Sequence, residues 1–264
     1  MRNFIIACQF LTRITINPNL EIREGDMAKS ARAYPLVGFV IGLFLLLLFM
    51  GLSEILAFPI VTITIFLVLA EMLLTGGLHL DGLMDCADGL FSYRPKDRIL
   101  AIMKDSQVGA NAVLALVSLV LVKIALLITL LPQHSWILIL MPLVSRWVLV
   151  DLAFRYPYAG QPGSLGGTII EQVRTSEIWL ATISALVAVG CKVVVSIVVF
   201  KQDWLFVTFF VVFGWLFTAL IARLVANNTV KKIDGITGDV LGATLEISEV
   251  VVLFVGAIFV RVLG

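Results

Sequence analysis

Four long apolar stretches constrain this chain more than anything else in it. Residues 35–56, 59–74, 178–200 and 204–226 approach or exceed the roughly 17–20 apolar residues that a helix needs to cross hydrocarbon. A bilayer offers no water to a backbone, so segments of this kind must satisfy their own amides as helices. Composition agrees: of 264 residues, 60% are hydrophobic and 14% charged, against about 25% charged in an ordinary soluble domain. The expected fold is all-α, a polytopic transmembrane helix bundle forming one integral membrane domain over 1–264. Spans are expected at 35–52, 58–75, 109–131, 135–154, 178–200, 204–226 and 240–262. The short apolar run at 4–11, followed by Thr12, Arg13 and Thr15 without a small-residue cleavage site, reads as an amphipathic helix at the interface rather than a cleavable signal.

The connections alternate in basic residues. Arg2, Arg13, Arg23, Lys29 and Arg32 precede the first span, and Arg94, Lys96, Arg98 and Lys104 follow the second. Arg155 and Arg174 follow the fourth, and Lys231 and Lys232 the sixth; the opposite connections hold only Lys201 and Arg261. Loops retained in the cytoplasm keep their Lys and Arg, so the N-terminus is expected inside and the C-terminus outside a cell (inner) membrane. The long polar connections at 76–108, 155–177 and 227–239 then share the cytoplasmic face. Chemistry confined to one face favours an enzyme over a transporter. A net charge of +1 without a long basic stripe argues against nucleic acid, leaving membrane lipid as the expected partner. Cys8, Cys86 and Cys191 are far apart and show neither metal spacing nor a disulfide framework.

The string TGGLHLDGLMDCADGL at 75–90 places Asp81, Asp85 and Asp88 within an arc of about 60° on one helix face. Like charges so spaced repel, and a divalent cation between them reverses the cost. Oxygen-only ligands suit Mg²⁺ or Mn²⁺ better than zinc. A solvated helix face is the plainer alternative, but no Lys or Arg in this segment balances the acids. Gly76 and Gly77 are expected to break the second span and let the backbone approach a ligand. His79 is a candidate for metal or phosphate, or simply a hydrogen-bonded loop histidine. Lys104 is the better candidate for phosphate contact and Arg98 the second, each equally explained by the basic bias of inner loops.

A second acidic face follows in GITGDVLGATLEISE at 235–249. Asp239 and Glu246 fall within about 20° on a helix, with Glu249 less than about a right angle away. Glu246 and Glu249 would lie inside the last span, where an unpaired charge is costly. Arg146 and Arg223 are candidate partners at that depth, together with Glu71. All could line a polar cavity open to the cytosol and count as binding candidates, or form a structural ion network. Lys123 and Lys192 are expected to snorkel from the outer ends of their helices. Carboxylates, cations and glycine turns are what a metal-assisted displacement at phosphorus requires. No G-x-S-x-G elbow, Cys-His pair, H-E-x-x-H or G-x-x-x-x-G-K-[ST] loop is present, so direct in-line transfer is the simpler expectation.

These strings, with FLTRITI at 10–16, YPLVGFVIG at 34–42 and DRILAIMKDSQVG at 97–109, resemble the cobalamin synthase family, the adenosylcobinamide-GDP ribazoletransferases. The resemblance runs in order along nearly the whole chain. It implies that a hydroxyl of α-ribazole, or equally of its phosphate, attacks the cobinamide-bearing phosphorus of adenosylcobinamide-GDP, with Mg²⁺ present and GMP leaving. It further implies that Asp81, Asp85, Asp88 and Asp239 are metal ligands, and that Lys104, Asp105 and Ser106 contact substrate or orient the metal shell. Asp234-Gly235 stands where the family more often pairs glycines. The stretch Tyr156 to Gly167 also looks family-like, and is either a lid or an ordinary connection. A lipid-linked phosphoalcohol transferase would share the acidic helix but lacks the IMKDS and TGDVLGA strings. A cation transporter would need its carboxylates midway through the bilayer and shows no inverted repeat here. The oligomeric state is left open.

Overall fold

The computed structural model describes residues 1–160, 163–198 and 204–263. The chain is all-α: α1 (Arg2–Leu11), α2 (Asp26–Ser30), α3 (Tyr34–Met50), α4 (Ile60–Thr75), α5 (Leu78–Leu90), α6 (Lys96–Ile102), α7 (Ala110–His134), α8 (Ile137–Arg155), α9 (Leu165–Gln172), α10 (Thr175–Val198), α11 (Trp204–Ile233) and α12 (Gly238–Leu263). Among the described residues five segments, at Asp26–Ile55, Ala110–Leu131, Ile137–Arg155, Thr208–Ile233 and Gly238–Val262, are long and apolar enough to cross a membrane unaided. Two more qualify when α4 is taken with α5, bent by 91°, and α10 with α9, bent by 96°. We read α4 and α10 as the traversing arms, with α5 and α9 turned across the polar end of the bundle. The expected seven spans are thus matched as five to seven, with boundaries close to those expected.

The bundle is organised around α8, whose residues from Ile137 to Ala153 are all buried. Glycines let α3 reach it. A Cβ on Gly38 would clash with the Pro142 carbonyl oxygen and lie 2.8 Å from Leu143 Cα, and one on Gly42 would lie 2.6 Å from Leu138 O. Small residues four apart bring two membrane helices into backbone contact, where packing rather than hydrophobicity must hold them. Backbone cannot yield as a side-chain tip can, so Gly38→Val is expected to cost about 3 kcal/mol, the upper end of overpacking. A thermal midpoint equal to that of the wild type in detergent would show that α3 and α8 do not meet there; Val40→Leu, on the exposed face, is the matched control.

The N-terminal helix forms where expected but does not reserve its apolar face for lipid. Ile6, Ala7, Cys8 and Leu11 are buried under α2 and α3. Arg2 bridges to Asp26 at 2.6 Å, and beyond the helix Arg13 N donates to Leu74 O at 2.7 Å. The segment before the first span is therefore pinned to the end of α4.

Lys123 is a correction. It lies in the middle of α7, is 3% exposed, and snorkels to neither end. The side chains of Cys191 and Lys192, together with Pro162 and Lys201, lie outside the described residues. Cys8 and Cys86 are buried free thiols.

Candidate functional site

The acidic helix α5 owes its direction to Gly76 and Gly77, both left-handed at φ 67° and 71°. Two successive residues in this region turn the chain sharply, and glycine adopts it without steric cost. The turn carries α5 off the axis of α4 and presents one of its faces to α12. Gly82 permits the contact: a Cβ there would lie 2.8 Å from Asp239 O and 3.0 Å from Asp239 Cα. One turn along α12, Gly242 does the same against the backbone of His79, with Cβ clearances of 3.2 and 3.3 Å. Asp239 sits in the first turn of α12, whose N-cap Thr237 accepts from Val240 N at 3.3 Å and donates to Asp239 Oδ2 at 3.2 Å.

Two acidic strings more than 140 residues apart in sequence therefore meet. Asp81 is exposed, and Asp85, Asp88 and Asp239 are half-buried. Burial first, then repulsion from Asp81, Asp239 and Asp88, pushes the Asp85 carboxyl up to about 7. Asp88 also braces the neighbouring helix, accepting from Gly109 N at 2.6 Å and Ala112 N at 2.9 Å and so satisfying amides at the start of α7. Among the described residues none of the four carboxylates joins an ion pair. A crowded, oxygen-only and unneutralised donor set fits a hard divalent cation in its chemistry. The carboxylates stand wider than a closed ligand shell: among the described residues no three acids, histidines or cysteines are placed to hold a metal directly.

Cations approach from the other side. Lys104, just beyond α6, acts electrostatically on Asp239 and shares with it a cavity of about 250 Å³ walled by Tyr158, Gly166 and Gly238. An adjoining cavity of about 400 Å³ is lined by Lys96 and Lys104. Lys96 also pairs with Asp234 at 3.1 Å. In sequence Lys96 is one basic loop residue among several, and no local signal singles it out. Arg98 lies exposed on α6, and Asp105 and Ser106 lie on the exposed loop after it, where Asp105 accepts from Gln107 N at 3.0 Å.

Tyr158, Gly160, Ser164 and Gly166 form a wall of the site. Ala159 N donates to Ile236 O and Ile236 N to Pro157 O, both at 2.9 Å, while Tyr158 OH and Ser164 Oγ share a 2.5 Å bond. Asp234, in the turn opposite, adopts φ 62°, a left-handed backbone that aspartate tolerates better than most residues. Gly235 cannot be larger, since its Cβ would lie 2.5 Å from Pro157 O.

Beneath the acidic face, Lys123 pairs with Glu249, with Glu71 at 2.8 Å and with Glu246 at 3.8 Å. Arg146, fully buried, pairs with Glu249 and lies 3.9 Å from Glu71; Ser145 donates to Glu249 at 3.2 Å. The expected partnership of Arg146 with the deep glutamates is present. Two expectations are corrected. Arg223 instead grips Asp151 with bonds of 2.8 and 3.0 Å, because its position on α11 faces α8 rather than α12. The cluster is also packed shut: the space beside Glu71, Lys123 and Glu246 amounts to about 10 Å³, too little for a cavity open to the cytosol. His79 points inward, 3% exposed, with neither ring nitrogen hydrogen-bonded. Burial first, then Arg146, holds its imidazole down at about 3 and therefore neutral.

Residues 3–257 match the family model described as Cobalamin-5-phosphate synthase. The adenosylcobinamide-GDP ribazoletransferase of Clostridioides difficile (strain 630) is 36% identical over 259 residues, 96% of each chain. That of Clostridium tetani (strain Massachusetts / E88) is 37% identical over 267 residues, 99% of this chain and 97% of its own. No solved structure matches the chain.

Proposed function

This chain belongs to the cobalamin-5-phosphate synthase family, and from that premise we propose that it joins α-ribazole, or its 5′-phosphate, to adenosylcobinamide-GDP with release of GMP. A hydroxyl oxygen of the ribazole forms the new bond to the cobinamide-bearing phosphorus, and the bond from that phosphorus to the oxygen of the departing GMP breaks. The observation that carries the reading is the meeting of Asp81, Asp85 and Asp88 on α5 with Asp239 on α12 across Gly82, with Lys104 beside them.

Asp81, Asp85, Asp88 and Asp239 are the residues that would hold Mg²⁺. Bound there, the ion would neutralise charge gathering on the phosphoryl oxygens. Lys104 and Lys96 are placed to receive the phosphates of the leaving nucleotide. In the metal-free chain, burial and its acidic neighbours push the Asp85 carboxyl up to about 7; a divalent cation bound among these acids would relieve that repulsion and favour the ionised, metal-holding form. The Lys and Arg distribution supports an orientation with this end of the bundle and the N-terminus on the cytoplasmic side of the cell membrane, where a nucleotide-activated donor is at hand.

Membranes carrying the chain, supplied with adenosylcobinamide-GDP and α-ribazole, are expected to release GMP and a completed corrinoid only with a divalent cation, and to stop on chelation. Asp239→Ala is expected to lower turnover by about 10²–10³-fold, the usual cost of losing one group that stabilises or orients the transition state. Undiminished product in the presence of chelator, or a wild-type rate from Asp239→Ala, would count decisively against this site.

A further inference from the structure

A cavity of about 690 Å³ also borders the acidic face at Asp81, separate from the cavities that Lys104 lines. One of its walls is apolar, made by Phe10, Met72, Met84 and Leu116; the rest includes Arg13, Gly76, Gly77 and Asp81. Small-molecule sites usually join apolar walls to a few converging polar groups, and this cavity has both.

Arg13 is anchored at this cavity. Its backbone is tied to Leu74, and its side chain crosses directly over Gly76, where a Cβ would collide with Nε and lie 2.9 Å from both Cδ and Cζ. Gly76 thus turns the chain and also clears the path of the guanidinium. Among the described residues Arg13 makes no ion pair, even though Asp81 lines the same cavity. An exposed arginine that is positioned by backbone, left unpaired and aimed into a cavity beside a carboxylate is arranged for an anion. Helix α5 also begins at this wall, with Gly77 as its N-cap, so the positive end of its dipole faces the same space.

Building on the transferase reading above, we infer that Arg13 binds a substrate phosphate in this cavity, separate from the one that Lys104 shares with Asp239. The phosphate has two possible sources, the diphosphate of the donor and the 5′-phosphate of a phosphorylated acceptor. In-line displacement brings two substrates to one phosphorus, and two separate cationic cavities bordering one acidic face match that requirement.

The test is steady-state kinetics of the full chain in membranes, comparing wild type, Arg13→Met and Arg13→Lys with the donor, α-ribazole and α-ribazole 5′-phosphate each varied. Methionine keeps the aliphatic stem over Gly76 and removes the charge. Arg13→Met is expected to raise KM about 10-fold or more for one phosphate-bearing substrate, with Arg13→Lys recovering part of the loss. A donor KM raised with either acceptor identifies the diphosphate; a KM raised only for the phosphorylated acceptor identifies the 5′-phosphate. Unchanged KM values, or a fall in kcat and thermal midpoint alone, would leave Arg13 as packing and overturn the inference; should the methionine variant not accumulate, unchanged constants in Arg13→Lys do the same. A wild-type chain that releases no GMP overturns the transferase reading and this inference with it, whereas an active wild type with insensitive Arg13 variants overturns this inference alone.

Discussion

Lys123→Met is expected to destabilise the folded chain by about 3–5 kcal/mol, the cost of breaking a buried ion pair from one side. Lys123 touches all three deep glutamates, and its removal leaves Glu71 and Glu249 to share Arg146 and takes away the cation that pairs with Glu246. Little water can move in to compensate, since the space beside them, about 10 Å³, holds about one molecule. The stranded carboxylates must then take up protons or force the helices apart. Thermal unfolding in detergent reads the effect directly. Adding Glu249→Gln should restore part of the loss, because it removes the acid that lies closest to the missing cation. A single variant within about 1 kcal/mol of the wild type would reduce the cluster to the standing of a surface pair.

Asp85→Asn is expected to do two opposite things: abolish turnover, by at least about 10³-fold, and stabilise the protein in the absence of divalent cation. The second effect follows from burial and from Asp81, Asp239 and Asp88, which together push its carboxyl from 3.8 to about 7. Because the folded chain holds this proton more tightly than the unfolded chain, folding binds protons between these values. Stability of the metal-free wild type therefore falls as pH rises from about 4 towards 7 and levels off above that. Asn removes that slope. Discounted for the part of the carboxyl that faces solvent, the gain near pH 8 is about 1–2 kcal/mol. Denaturation of both proteins in chelator across about pH 5–8 would show the two curves converging at the acid end. Parallel curves, or a variant that keeps turning over, would remove Asp85 from the centre of the site. Gain in stability with loss of activity is the signature of a group kept for chemistry rather than for the fold.

Much of this is legible in the residues alone. The apolar runs locate the spans, since hydrocarbon thickness sets their length, and Gly76-Gly77 marks the break after α4. The three-and-four spacing of Asp81, Asp85 and Asp88 puts them on one face, a consequence of helical pitch alone. The Glu246 and Glu249 positions announce buried charge that needs partners, and Arg146 is one of them. What stays hidden is partnership across helices. Lys123 resembles a snorkelling residue in sequence although it lies mid-helix, and Arg223 suits the acids of α12 by depth but faces Asp151 on α8. Asp88 has the spacing of an acid of the face, and its hold on the first amides of α7 has no counterpart in its local sequence.

Local periodicity and hydropathy, which depend on neighbours within a few turns, determined from the chain itself that it is helical, where it can cross a membrane, and which carboxylates share a face. Only the tertiary structure decided that Asp239 meets that face across Gly82, that Arg13 and Lys104 line separate cavities beside it, and that the deep charges close into a tightly packed cluster. The reason is that helix rotation and pairing are settled by backbone approach at a few glycines and by the cost of leaving any buried charge alone. Both depend on residues far apart in the chain, and neither leaves a repeat that sequence spacing can display.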